Sequence, residues 1–392
     1  MFELSSILLI PLLIIFLTSL LLLLVTKNSK PITKSKITKL NKLPKPYPII
    51  GHLLAFSGLT QEEIFEWLSK IISTCPTSTV VVHPPFGTPS VYTGDPVSVE
   101  HIFKTNFLKY EKGPHHKAVF RDLFGDSLFT ENGDVWKIQR QTASLEFTHK
   151  AVQKFVENVV DSEISKRLIP FLSYAAKENK VIDLQDLLKR FTFDTICEVS
   201  FGYNPGYVSS ALPDAKFMTV FGESILLSYS RFHAIFPIVW KACRFFNVGS
   251  EKRLKDSIQI LHEFAKDKIK SIKQNSKTEI EENSTMSRLI KNGRYDEKLG
   301  IDMLISFVLA GQDTSSSALT WFFWLVRRNN QVEQEILKEI NNKKIKKQCV
   351  VDELKGMTYT HAALSETMRL YPPVAVDLKQ AQPTTFYLMG PR

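Results

Sequence analysis

The stretch from Ile301 to Asn329, IDMLISFVLAGQDTSSSALTWFFWLVRRN, most constrains what this chain can become. It is apolar on nearly every face except for a polar patch from Gly311 to Ser317. A helix that is apolar all round belongs inside a large protein or a membrane. Glycine in a helix interior costs about 1 kcal/mol against alanine, and a buried carboxylate costs more unless it is partnered. Something must offset those costs, so the patch is the first functional candidate.

With 392 residues, 44% of them hydrophobic, the chain can bury a large core. The net charge of +10 invites a nucleic-acid reading. However, the segment up to Lys45 holds seven lysines against one acid, Glu3, which leaves the remainder close to balanced. No basic stripe interleaved with aromatics is present, so no nucleic-acid partner is expected. Cys75, Cys197, Cys243 and Cys349 are isolated, without CxxC or framework spacing, which fits reduced thiols. There is no HExxH, and the adjacent His115 and His116 read as a solvated loop pair, so no metal held by protein side chains is expected.

Residues 4–25 carry no charge, enough at 1.5 Å per residue to span a bilayer core of about 30 Å. A cleaved signal peptide would have a shorter apolar run with positive charge in front, whereas here the lysines follow. By the positive-inside tendency that flank stays cytosolic, placing the N-terminus in the lumen and the bulk of the chain on the cytosolic face. The organisation read from this is a membrane anchor over 1–26, a basic and proline-rich linker over 27–50, and a globular domain over 51–392. In the linker, Pro44, Pro46 and Pro48 hold the backbone extended before Gly51 permits a turn. Residues 78–94 alternate as a hairpin, and Asp95-Pro96 reads as a helix cap. Amphipathic helical runs follow over 134–176, 183–200, 214–246 and 250–274. Residues 275–299 read as a surface loop, and 331–340 as a short exposed helix. The fold class is mainly α with small β-sheets.

Three separated pieces carry the chemistry. Trp136 and Arg140 stand four apart on one helix face, an indole N–H and a guanidinium that suit a carboxylate; a packed tryptophan beside a surface arginine is the bland alternative. Ala310 and Thr314 are also four apart. The Thr314 hydroxyl can bond back to the Ala310 carbonyl and loosen the helix, while Gly311 lets a flat ligand approach the backbone. Asp313 can move protons once burial or a partner tunes it, although a kinked helix with a satisfied core carboxylate explains the same residues. Glu366 and Arg369 are three apart on a helix that Pro372 and Pro373 terminate.

Taken together, AGxDT[ST] followed downstream by ExxRLYPP, with the proline hinge and GDSLFTENGDVWKIQR, resembles the haem-thiolate monooxygenases, the cytochrome P-450 family. The resemblance implies a haem b cofactor contacted at its propionates by Trp136 and Arg140. It also implies an oxygen-activating turn from Ala310 to Ser315, including Gly311, with Thr314 donating to dioxygen and Asp313 delivering protons. Glu366 and Arg369 would be a buried structural pair. The partners implied are an NADPH-cytochrome reductase and the endoplasmic reticulum membrane. The wording SFVLAGQDTSSSALTWFFWLV, KRFTFDTICEVSFGYNP, FNVGSEKRLK and YTHAALSETMRLYPPV is similar to the plant fatty-acid ω-hydroxylase group, whose relatives also oxidise jasmonoyl-isoleucine. The substrate implied is an apolar chain bearing a carboxylate. The aromatic-rich segments Tyr110–Phe124 and Phe217–Phe236 sit where that family lines its substrate channel, with plain core packing as the alternative.

The family carries its axial thiolate in an FxxGxRxCxG loop downstream of ExxR. This chain follows the pattern to about Ala381 and then reads QPTTFYLMGPR, with no such loop, and none of its four cysteines lies in a matching context. The expectation is therefore that the intact parent protein is a membrane-bound monooxygenase, while these 392 residues bind haem poorly and are inactive. The alternative is a catalytically inactive, membrane-tethered protein of the same fold.

Overall fold

The computed structural model describes residues 42–144, 153–209, 212–232, 234, 236–274, 297–342, 354 and 356–382. The apolar run 4–25, most of the expected loop at 275–299 and Cys349 lie outside the described residues. Among the described residues no helix is long and apolar enough to cross a membrane. The chain divides into two compact units, Met1–Phe107 and Leu108–Arg392.

In the first unit, α1 (Leu53–Phe56) and α2 (Gln61–Thr74) precede the hairpin of β1 (Thr79–Val82) and β2 (Ser90–Thr93), and α3 (Pro96–Glu100) follows it. The expected hairpin is present, antiparallel, with Thr79 opposite Thr93 and Val82 opposite Ser90. A capping box in which Thr60 and Glu63 bond each other's backbone N–H starts α2. The Asp95 side chain accepts from the N–H groups of Val97 and Ser98 to start α3, with Pro96 at its first position. His52 ties the proline-rich segment down. Its Nδ1 accepts from the His83 N–H at 2.9 Å, which leaves Nε2 to donate to the Pro44 carbonyl at 3.0 Å.

The second unit is built around the long helix anticipated from sequence. Its helices are α4 (Gly113–Phe124), α5 (Gly133–Ser144), a helical run ending in α6 (Ile169–Lys177), α7 (Leu184–Phe201), α8 (Lys216–Ser230), α9 (Pro237–Phe246), α10 (Gly249–Gln274), α11 (Glu297–Arg328), α12 (Asn330–Asn342) and α13 (Thr358–Leu370). A two-residue sheet pairs β3 (Tyr110–Glu111) with β4 (Gln380–Ala381). One core cluster joins Leu304, Ile305 and Val308 of α11 to Phe193 and Cys197 of α7, Phe221 of α8, and Leu261 and Ala265 of α10. The 214–246 run is two helices, α8 and α9, not one, with Pro237 at the first position of α9.

The structure corrects two sequence expectations and bears on an alternative left open. Burial of α11 is continuous only from Gly300 to Val308; beyond that the helix is half-covered, and Trp324 is 54% exposed. No described element packs over its far half on all sides, so an apolar sequence does not there mean a buried one. His115 and His116 lie in helix α4, not in a loop, and set their rings edge-on against Phe232, with centroids 5.0 and 5.9 Å away. The aromatic segments are largely core. Phe221 and Phe124 are fully enclosed, Phe217 packs 4.1 Å from Phe264, and Phe120 packs 5.3 Å from Phe232. By contrast α9 buries only Trp240 and leaves Ile238, Val239, Phe245 and Phe246 exposed.

Candidate functional site

Helix α11 presents two faces at its polar patch. On one face a side chain at Gly311 would meet Ile196 of α7, with Cδ1, Cγ1 and Cβ at 2.5, 2.6 and 3.1 Å from the added Cβ. The Thr192 hydroxyl of α7 donates to the Gln312 carbonyl at 3.2 Å beside it. Gly311 is therefore needed for close helix–helix approach, not to admit a flat ligand to the backbone, because that side of the helix is already filled by α7. The ligand-accessible face is the other one, where Ala310, Asp313, Thr314 and Ser317 are all half-buried.

On that face the Thr314 Oγ1 donates to the Ala310 carbonyl at 2.5 Å, as the four-residue spacing requires. The back-bond does not interrupt the helix, which remains α-helical from Glu297 to Arg328. The intact ladder and the hydroxyl share one carbonyl, which has two lone pairs. Asp313 makes no side-chain hydrogen bond to a described residue. Burial raises its carboxyl above the usual range, and Lys189 of α7 opposes that only in part. The satisfied core carboxylate of the bland reading is not what the structure contains.

Trp136 and Arg140 lie one turn apart on α5, which packs on α11 through Ala143 against Met303 and Phe307. Trp136 is half-buried and Arg140 exposed. A second cation, Lys112, stands beside Trp136. The Lys112 Nζ sits 5.6 Å from the centre of the Trp136 ring and donates to the Glu131 carbonyl at 2.8 Å. Burial, followed by repulsion from Lys379, brings its ammonium down to about 8. Nothing in the local run Tyr110–Phe124 distinguishes this lysine, since the groups that desolvate it come from α5 and from the segment after α13. An ammonium, an indole N–H and a guanidinium in one neighbourhood form a donor set suited to carboxylates. The ¹³C signal of a reductively methylated Lys112 is expected to titrate near 8, where an ordinary lysine is only about 0.4% neutral. NMR across pH 6–11 checks this, and a bound dicarboxylate should move the midpoint upward.

Glu366 and Arg369 of α13 form a two-pronged pair, with Arg369 Nε and Nη2 donating to Glu366 at 2.7 and 2.6 Å. Its side chains are 54% and 67% exposed, so the pair is not buried as the resemblance implied, because no described element covers that side of α13. Water screens such a pair. Glu366→Gln is accordingly expected to leave the melting temperature of this 392-residue chain unchanged within error in calorimetry. Nearby, Trp321 of α11 stacks on Tyr371 at 3.9 Å and 8°.

These elements define a mainly helical protein whose central helix carries a hydroxyl and a carboxyl on one half-open face and packs against the helix that bears Trp136 and Arg140. The chain belongs to the cytochrome P450 family, whose model matches residues 42–387. It is 45% identical over 362 residues to Cytochrome P450 94A2 of Vicia sativa, an alignment covering 91% of this chain and 70% of that protein. It is 43% identical to Cytochrome P450 94A1 of Vicia sativa, with 86% of this chain and 66% of the relative aligned. It is 39% identical to Cytochrome P450 94C1 of Arabidopsis thaliana, with 81% and 64% aligned. The chain thus spans about two thirds of the length of these curated relatives.

Family membership implies a haem cofactor. The described residues fit one edge and one face of that group. Lys112, Trp136 and Arg140 suit its two carboxylates, and the half-open Ala310–Thr314 face suits a planar neighbour. They do not supply the axial thiolate. Cys197 is fully buried in the core among α7, α10 and α11, and burial pushes its thiol well up. Cys75 belongs to the first unit, where its Sγ lies 3.3 Å from the Thr77 hydroxyl. Cys243 lies on α9, outside the helices that bear the site.

Proposed function

We propose that this chain is the greater part of a haem-dependent monooxygenase that hydroxylates a fatty acid or a similar carboxylate-bearing apolar chain. In this reading dioxygen is the oxidant and a membrane-bound NADPH-cytochrome reductase supplies the electrons. The carrying observation is the Ala310–Asp313–Thr314 face of α11, a threonine hydroxyl and a raised carboxyl together on an otherwise apolar helix. Haem, when bound, supplies the redox chemistry that activates dioxygen. Thr314 holds its hydroxyl proton toward the Ala310 carbonyl and can offer it to the open face by rotating about χ1. Asp313, raised by burial, retains a proton at a pH where an ordinary aspartate has lost it, which suits a proton carrier. Lys112, Trp136 and Arg140 orient the cofactor by its carboxylates. The fatty-acid class rests on the resemblance of KRFTFDTICEVSFGYNP and YTHAALSETMRLYPPV to the ω-hydroxylase group.

Attachment to the endoplasmic reticulum membrane, with the catalytic part cytosolic, is part of the same proposal. The charge-free run 4–25 followed by lysines supports it. So does the outward apolar face of α9, which carries Lys241 and Arg244 beside its exposed phenylalanines.

A second reading, a catalytically inactive membrane-tethered relative, is favoured by one observation: no described cysteine is placed to ligate haem iron. A carbon-monoxide difference spectrum of the reduced 392-residue chain tests the second reading, which a thiolate-type Soret band overturns. Both readings predict that no such band forms from these residues alone, so the transcript separates them: an FxxGxRxCxG loop encoded downstream establishes the monooxygenase, and a stop codon after Arg392 establishes the second.

A further inference from the structure

We propose that Asp302 is a positioning residue, fixing the helix that carries Trp136 and Arg140 against the helix that carries Ala310, Asp313 and Thr314. Asp302 is 2% exposed, a carboxylate inside the apolar run that opens α11. Its Oδ2 accepts from the backbone N–H of Asp126 at 3.0 Å. The carbonyl of that same residue accepts from Gln139 Nε2 at 2.8 Å, and Gln139 is a buried member of α5 lying between Trp136 and Arg140. One residue's main chain thus links α11 to α5, accepting on one side and donating on the other.

Two further observations show that the link is built. Gly125 precedes it at φ +54°, and a Cβ there would overlap the Asp302 carboxylate, so the turn is shaped around that side chain. Secondly, Asp302 stands in a row with Lys298 and Ser306 at four-residue spacing, and all three reach the same turn. The Lys298 Nζ pairs with the Asp126 carboxylate at 3.1 Å, and the Ser306 hydroxyl donates to the Ser127 hydroxyl at 2.8 Å. Continued by fours, that row arrives at Ala310 and Thr314. The spacing between the carboxylate-binding corner and the hydroxyl-bearing face is therefore set by contacts that touch neither, and Asp302 is the buried charged member among them.

The consequence for cofactor retention rests on the haem reading above, whereas the clamp itself does not, so the test has two arms. In the first, hydrogen–deuterium exchange is followed on the detergent-solubilised full chain without haemin, for Asp302→Ala and Asp302→Asn. In Asp302→Ala, amides of 126–142 are expected to exchange at least about ten-fold faster while α7 and α10 keep wild-type rates. In Asp302→Asn, whose amide oxygen accepts the same N–H, rates should return to within about three-fold of wild type. Unchanged exchange in Asp302→Ala, or acceleration spread evenly over α7 and α10, would overturn the proposal. In the second arm haemin is titrated into wild type, Asp302→Ala, Arg140→Ala and the double variant. Each single change is expected to weaken binding by about ten-fold, and the double by no more than the larger single effect, because Asp302 acts through the α5 side chains. Full additivity overturns the positioning role. A wild-type chain that takes up too little haemin to titrate matches the poor binding expected of these 392 residues, and the exchange arm then decides the clamp alone.

Discussion

Replacing Arg231 by methionine is expected to lower the stability of the folded chain by about 3–5 kcal/mol, the cost typical of leaving one member of a buried ion pair without its partner. Arg231 directly follows α8 and is 3% exposed. Its Nε and Nη2 grip Glu251 of α10 at 3.0 and 2.6 Å, and Glu251 is itself only 4% exposed. Its Nη1 donates to the Val119 carbonyl and to Asp122 of α4, both at 2.9 Å. The guanidinium also lies 4.8 Å from the centre of the Trp240 ring of α9. One side chain thus closes contacts among four helices, and methionine satisfies none of the oxygens it leaves. Urea denaturation followed by circular dichroism measures the loss. Adding Glu251→Leu to Arg231→Met should recover most of it, since the isolated buried carboxylate is then gone as well. A single-variant loss below about 1 kcal/mol would mean that water reaches Glu251 in solution.

The second large effect is expected at Gly311. In an open helix, glycine to alanine gains about 1 kcal/mol, so local propensity alone forecasts stabilisation. Here an added Cβ would lie 2.5 Å from Ile196 Cδ1 and 3.1 Å from its Cβ. Ile196 is β-branched and stiff at χ1, so it cannot swing clear without moving α7. Gly311→Val should therefore destabilise by about 1–3 kcal/mol through overpacking. Thermal unfolding monitored by circular dichroism gives the sign directly. Ile196→Ala in the same background should restore much of the loss by making room. A neutral Gly311→Val would show that α7 and α11 are not in close register.

The elements whose signals are local were legible in sequence. The hairpin at 79–93, the cap at Asp95, and the end of α13 before Pro372 each depend on residues within a few positions. The Thr314 back-bond was legible for the same reason, as it needs only a four-residue spacing. Faces and burial were not. Sequence marks Gly311 as permissive but does not say which neighbour uses the space, and that neighbour, Ile196, is remote in the chain. Lys112 and Asp302 gain their settings from groups elsewhere in the chain, Asp126 being 176 positions from Asp302. The sequence holds one hint for Asp302, an acid inside an apolar helical run. The pair Glu366–Arg369 shows the converse: its spacing forecast the contact but not its exposure.

The far half of α11, only half-covered by the described residues, bears on the life of the chain in a cell. Phe323 and Trp324 are open there, and Trp321, stacked on Tyr371, brings α11 next to a segment where Leu370, Val374 and Val376 are open too. Folded monomers seldom leave contiguous apolar patches beyond a few hundred Å². Such a surface is what chaperones and degradation machinery recognise, and it is also where copies stick together. The abundance of these 392 residues would then follow chaperone supply and how promptly another apolar surface covers that patch, and a stabilising substitution elsewhere in the core would do little to raise it.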